Sequence, residues 1–431
     1  MRLSFGEFAR PALVRLPLFA FAAICVFDPA DQIFHAKTWM FAATWAGFWI
    51  LAFLDPDEYD LSPELIVFVL LFISVPLLST LWYYFANGTE PYAGFGLLKG
   101  FLLVSVAIVL VHNRIDLMPF LGISLNLLAI LAIIVVAILR LRPDLLETVQ
   151  AIGSSTGLIL VGNRAYAEGP SFTLVNVVTL PLLTLSIPYL FDCALSEPGS
   201  RRKAIYLGLV AISVTAMLLS GSRNLAAAAL LLLVLLWPLY TRRVVFYELV
   251  SLGVLTALSL PLVSRLRASL DPNEMSNNIK LTLLGDYEQI FSDLPTLLFG
   301  QGLGAYHRWS TSGRPEFELT GEYFYFNTEL TYAELIRYFG LYGAAIIVLI
   351  LFFPIAKAFL TKSGSRERAI VLGWLAYLCM SATNPMLFSS TGMLFFSVVL
   401  AETFRSPTGL NAVRPVRMIV GHWWNRWMRA Q

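Results

Sequence analysis

Apolar runs of about 17 to 25 residues follow one another from Pro11 to Phe404, each closed by charged residues or by Pro and Gly. The pattern predicts helices near residues 11–28, 36–54, 63–86, 94–112, 118–139 and 172–192. Further helices are predicted near 203–220, 224–241, 244–263, 331–356, 368–386 and 389–405, making about twelve membrane spans. Segments 140–171 and 264–330 fall outside this series, and connections as long as the second are usually functional. The fold class is therefore all-α, a polytopic integral membrane protein. Its divisions are 1–263 with nine helices, 264–330 as one large loop, 331–405 with three helices, and 406–431 as a tail.

Composition agrees with this pattern. Hydrophobic residues make up 58% of the 431 positions and charged residues only 13%, too few to clothe a water-soluble domain of this size. The net charge of +2 hides an uneven distribution and gives no reason to expect a nucleic-acid partner. Lys and Arg gather in "SEPGSRRKA", "YTRRVV", "AKAFLTKSGSRERA" and the tail, which twelve spans place on the side of the N-terminus. That side is read as the cytoplasm, with both termini on it. The acidic loop "LDPDEYDLSPE" falls there too, a mild conflict because acidic residues weigh little in this rule. "DPADQ", "NGTEPY" and the loop 264–330 fall opposite.

The first apolar run lacks a small-x-small cleavage site and is read as a retained helix. Cys25, Cys193 and Cys379 show no CxxC spacing and read as helix-packing residues. In the tail, "GHWWNRWMRA" interleaves Trp and Arg as a segment lying among lipid headgroups would.

No P-loop, GxGxxG, HExxH or GxSxG signature is present, and four scattered histidines offer no metal-ligand spacing. Neither metal nor cofactor is expected. Chemistry must then come from cations and carboxylates at helix ends. Arg223, in "SGSRN", sits where one span ends and the next begins, with Gly221 for the bend and Ser222 or Asn224 to cap. It reads either as a snorkelling interfacial residue or as an anion contact beside a helix N-terminus. Arg265, Arg267 and Lys280 add positive charge on the same outer side, where the positive-inside rule predicts little. Lys280 opens a predicted surface helix whose Leu281, Leu283, Leu284 and Ile290 share an apolar side.

Gly300, Gly302 and Gly304 in "FGQGLG" predict a structured bend, either a plain turn or a close approach to a ligand. Next, "NTELTYAELIRYFGLYG" brings Glu329, Glu334 and Arg337 to the start of a span, with Glu334 and Arg337 at ion-pair spacing. Ionisable groups there read as cavity-lining, or as a pair that only fixes the helix. Gly340 and Gly343 are expected to continue the helix as small residues at a close contact.

"GSR" opening a late helix, loop arginines, "FGQGLG" and "TELTYAELIRYFGLYG", in this order over roughly residues 200–400, resemble the O-antigen ligase and polymerase superfamily. Within it, the chain looks most like the Wzy-type polysaccharide polymerases. The resemblance implies a GT-C-like fold with the large loop in the periplasm and a location in the bacterial inner membrane. It also implies metal-independent, inverting transfer between undecaprenyl-pyrophosphate-linked oligosaccharides, both donor and acceptor, in contact with membrane lipid. It leaves room for a chain-length regulator protein.

The family's loop arginines correspond to Arg223 and to Arg265 or Arg267, with Lys280 where many members carry a further arginine. Ligases carry His-Asn before the following helix, whereas here the place reads Phe326-Asn327, which favours a polymerase. Fixed cations would stabilise the pyrophosphate leaving group, and a carboxylate would take the acceptor proton. Glu329, Glu334, Arg223 and Arg265 are the expected catalytic residues. Arg267, Lys280, Asn327, Arg337, His307 and Gly302 are the expected substrate contacts. A ligase using His307, a transporter or flippase of lipid-linked sugars, and a non-catalytic assembly partner are the alternatives.

Overall fold

The computed structural model describes residues 5–54, 60–87, 92–164, 172–220, 222–236, 275–305, 307–308, 324–325, 330–361, 363–384, 386–405 and 416–417. In chain order the first elements are α1 (Phe5–Phe27), α2 (Ala36–Leu54), β1 (Asp60–Leu61), α3 (Pro63–Asn87), α4 (Tyr92–Leu102), α5 (Val106–His112) and α6 (Met118–Leu141). Next come α7 (Leu146–Thr156), β2 (Ile159–Arg164), β3 (Phe172–Val177), α8 (Leu183–Ser196), α9 (Ser200–Leu219) and α10 (Arg223–Leu236). The remainder are α11 (Met275–Phe291), α12 (Leu294–Phe299), β4 (His307–Arg308), β5 (Phe324–Tyr325), α13 (Thr331–Leu360), α14 (Ser365–Ser381), α15 (Ser390–Arg405) and β6 (Val416–Arg417).

The molecule is mostly helical. Among the described residues five helical segments are long and apolar enough to cross a membrane: Pro63–Phe85, Gly94–His112, Met118–Leu141, Ser200–Leu219 and Thr331–Leu360. Along α3, Val67, Leu70, Leu78 and Trp82 are all more than half exposed. Such a helix is apolar all round and needs a non-aqueous neighbour.

The centre is built by α14 and α15. Trp374 is fully buried, stacks on Tyr377 at 5.5 Å and on Phe396 at 5.0 Å, and donates its indole N–H to Leu351 O at 2.8 Å. A buried Trp needs that acceptor, since an unpaired indole N–H would forfeit part of the packing gain. Polar residues join α6, α8 and α9. Asn126 donates to Gly122 O (2.8 Å) and to Ser186 Oγ (3.5 Å), and accepts from Ser213 Oγ (3.3 Å). Interhelical hydrogen bonds of this kind supply attraction where apolar burial against lipid supplies little.

The connections sort to two ends. At one, Thr179 Oγ1 donates to Val26 O (2.8 Å), Val175 N to Ser220 O (3.0 Å) and Lys37 Nζ to Ser390 Oγ (3.0 Å). At the other, Arg366 bridges Asp116 (2.7 Å) and Glu402 (3.0 Å), and Arg405 binds Glu402 (2.9 Å) and Leu110 O (2.9 Å). The strand β1 pairs with β6, Asp60 opposite Arg417.

The structure departs from the sequence reading in four places. The expected span 172–192 begins as a strand: β3 pairs antiparallel with β2, Ile159 opposite Val177, and burial alternates through Val175 and Val177. Apolar β-branched strands and helix ends look alike in a hydropathy profile, and the helix starts only after a turn containing Pro181. The span 94–112 is tightened by a 3-10 turn at Leu103–Ser105. In α11, which begins at Met275 rather than at Lys280, Leu283 and Ile290 are buried but Leu281 and Leu284 are half exposed, so the expected apolar side is narrower. Gly340 does not continue the helix: its φ of 65° and ψ of 177° break α13.

Candidate functional site

The first turns of α13 carry two charges into the interior. Glu334 is 4% exposed and Arg337 0%, and they meet as an i, i+3 pair with Arg337 Nη2 2.8 Å and Nε 2.9 Å from Glu334 Oε2. The other carboxylate oxygen accepts from Tyr287 Oη at 2.7 Å. Arg337 Nη1 donates to Ala305 O (2.9 Å) and Gln301 Oε1 (3.4 Å), and the guanidinium lies 4.3 Å from the centre of the Tyr338 ring. A buried ion pair is tolerated when remaining donors find acceptors, and here the planar guanidinium meets three.

The break at Gly340 lets the segment that carries Gln301 and Ala305 dock on α13. Where the helix stops, the carbonyls of Arg337 and Tyr338 lose their helical partners and accept instead from Gln301 N (2.7 Å) and Gly302 N (3.1 Å). Ser79 Oγ completes the junction, donating to Tyr338 O (2.9 Å) and accepting from Leu303 N (2.8 Å). A Cβ at Gly300, whose φ is 80°, would lie 2.5 Å from Gly340 N and from Tyr338 O. One at Gly340 would run into Leu298 O. Only glycine admits both the backbone angles and the contact. The "FGQGLG" bend is thus the socket for the kink, and it fixes Ala305 O and Gln301 against Arg337.

Glu334 lines a cavity of about 540 Å³ at this end of the bundle. The helices α2, α13 and α15 all begin there, contributing Lys37, Thr331 and Ser390 to its wall, and α4 contributes Lys99 beside an apolar stretch from Phe101 to Leu103. Lys37 is 8% exposed; its ammonium donates to Pro29 O (2.6 Å) and Ser390 Oγ (3.0 Å). Asp31, also in the wall, accepts from Lys37 N at 2.9 Å and so holds the first turn of α2. A pocket combining apolar wall, buried carboxylate and cations suits a ligand with both a charged and an apolar part.

The expected site residues divide into three sets. Glu334, Arg337 and Gly302 are brought together as described. Arg223 and Lys280 are not among the lining residues. Half-buried Arg223 opens α10, whose Asn224 donates to Thr383 Oγ1 (3.1 Å), while Thr331 Oγ1 donates to Asn384 O (3.0 Å). One turn therefore separates its helix start from the cavity wall. Lys280 is half-buried on α11, two helical turns before Tyr287. Arg265, Arg267, Asn327 and Glu329 lie outside the described residues, and His307 falls in β4, its backbone opposite Tyr325.

Sequence reasoning missed Tyr287, Gln301, Lys37 and Lys99. The last had a legible signal, a charge inside "GLLKGFLL" in an otherwise apolar span. Among the described residues no group of three or more metal-ligating side chains is placed to hold a metal ion. Fold and site together define a mostly helical protein with helices long and apolar enough to cross a membrane, and a cavity at one end lined by the carboxylate of a buried ion pair. Compared with known proteins, the chain matches no family model and no curated protein.

Proposed function

We propose that this protein polymerises polyprenyl-pyrophosphate-linked oligosaccharide repeat units at the outer face of the bacterial cytoplasmic membrane, as a metal-independent inverting glycosyltransferase of the Wzy type. The observation that carries the reading is the cavity beside the kink of α13, where Glu334 stands among cations and apolar side chains. Cleavage of the anomeric C–O bond leaves negative charge on the pyrophosphate, which fixed cations stabilise without reorganising. Inversion requires a base on the acceptor hydroxyl, drawn from the carboxylates at the start of α13, Glu334 or Glu329. Arg337 and Tyr287 fix the Glu334 carboxylate on one side, which directs its remaining lone pairs. Arg223, Arg265, Arg267 and Lys280 complete the positive surround in this reading.

The test is reconstitution of the purified protein with a lipid-linked repeat unit. A ladder of polymer with release of polyprenyl pyrophosphate is expected. A ladder unchanged in both Arg223→Ala and Glu334→Gln would sink the site assignment.

One observation favours a second reading, a transporter of lipid-linked sugars. The break at Gly340 and the tightened turn at Leu103–Ser105 both adjoin the cavity, and interrupted helices mark transport sites. Movement of the lipid-linked unit between leaflets of a proteoliposome without any polymer would support that reading instead.

A further inference from the structure

The cavity has two cations that the resemblance does not reach, since it begins near residue 200 and Lys37 and Lys99 come from the first hundred residues. Lys37 is held almost without exposure, and both of its hydrogen-bond acceptors, Pro29 O and Ser390 Oγ, are neutral. Two bonds leave one ammonium donor for a ligand. A charge kept at such burial by neutral partners is costly unless an anion joins it. Of the two carboxylates in the wall, Glu334 is tied to Arg337 and Tyr287, and Asp31 holds the backbone N–H of Lys37. The start of α15 adds the weak positive end of a helix at the same place.

Lys99 also lines the cavity, from α4, exposed and with Gly96 and Gly100 of the same helix beside it in the wall. A Cβ at Gly96 would meet nothing within 4 Å, so that stretch of α4 is open. Apolar side chains from both helices line the cavity as well, Phe41 on α2 and Leu97, Phe101 and Leu102 on α4. The stretch of wall between α2 and α4 therefore carries charged and apolar groups side by side.

We propose that Lys37 and Lys99 form an anion clamp for the phosphate groups of a polyprenyl-phosphate lipid, whose chain leaves the cavity between α2 and α4. This rests on the proposed function in assigning the lipid, and it makes the N-terminal helices part of the substrate site. The shared chemistry is a pyrophosphate anion, whether free or attached to a prenyl chain.

The experiment uses the full-length protein in nanodiscs and measures binding of farnesyl pyrophosphate by thermophoresis, with farnesol and inorganic pyrophosphate as competitors. Losing one charge-assisted contact should weaken binding about tenfold in Lys99→Met, with Lys99→Arg restoring it. Lys37→Met should weaken it as much, with a thermal melt to show that the bundle persists. Equal binding by Lys99→Met and wild type would overturn the clamp. Competition by inorganic pyrophosphate as strong as by the prenyl form would overturn the lipid and leave a free-anion site. Running the polymer assay in parallel separates the two claims: a ladder with lysine-independent binding defeats the clamp alone, and lysine-dependent binding without a ladder defeats the polymerase alone.

Discussion

Arg337 has no exposed surface, and its loss would strand the Glu334 carboxylate in the interior. Removing one partner of a buried pair costs about 3–5 kcal/mol, so Arg337→Met should lower the melting temperature sharply, whereas Glu334→Gln with Arg337→Gln together should lower it less. Differential scanning fluorimetry in detergent reads both. Glu334→Gln alone keeps one acceptor oxygen for Arg337 and presents an NH2 donor to the Tyr287 hydroxyl, so it should lower the melting temperature through the lost counter-charge and slow polymer formation by about 10²–10⁴-fold if Glu334 is the base. Initial rates on a lipid-linked repeat unit decide it. The i, i+3 spacing of this pair was legible in the sequence because it is local. Tyr287 and Gln301 were not, because they lie 47 and 36 residues from their partners and reach them only through the fold.

At the scale of elements, the kink of α13 and the bend that receives it form one device. Gly340→Ala would place a Cβ at positive φ and against Leu298 O, for a loss of at least about 1–3 kcal/mol. Gly285→Ala is the contrast: it lies inside α11 with nothing within 4 Å of its Cβ position, so it should gain about 0.5–1 kcal/mol. Thermal melts of the two variants should move in opposite directions. The sequence showed that small residues stood at Gly340 and across the glycine-rich bend, but not that one would meet the other. Helical periodicity is blind to a single residue whose angles depend on a distant docking partner. The strand β3 was hidden for a related reason, as Val175 and Val177 are buried in a segment that runs on into the apolar residues of α8.

Across the whole molecule, the two groups of connections define two faces, and the proposed function assigns them to opposite sides of the membrane. In a cysteine-free background carrying Lys99→Cys or Arg202→Cys, an impermeant maleimide added to intact spheroplasts should label the first and spare the second, and inverted vesicles should reverse the result. Both positions are exposed, so access to the reagent is not limited by packing. Labelling of both from one side would overturn the assignment. The apolar runs carried the mostly helical character and the five long apolar helices, because hydrophobic length is a property of short segments. The cavity was legible only in part, since its wall joins residues from Pro29 to Ser390.

The break at Gly340 also bears on how the chain is made. Bent but undocked, the segment Thr331–Leu360 would leave the carbonyls of Arg337 and Tyr338 without donors, an arrangement that hydrocarbon penalises by several kcal/mol per group. The donors that relieve it, Gln301 N, Gly302 N and Ser79 Oγ, all precede the segment in the chain and are synthesised first. Chain order therefore lets the bend form before this helix, which takes its bent shape by docking against that bend rather than ahead of it.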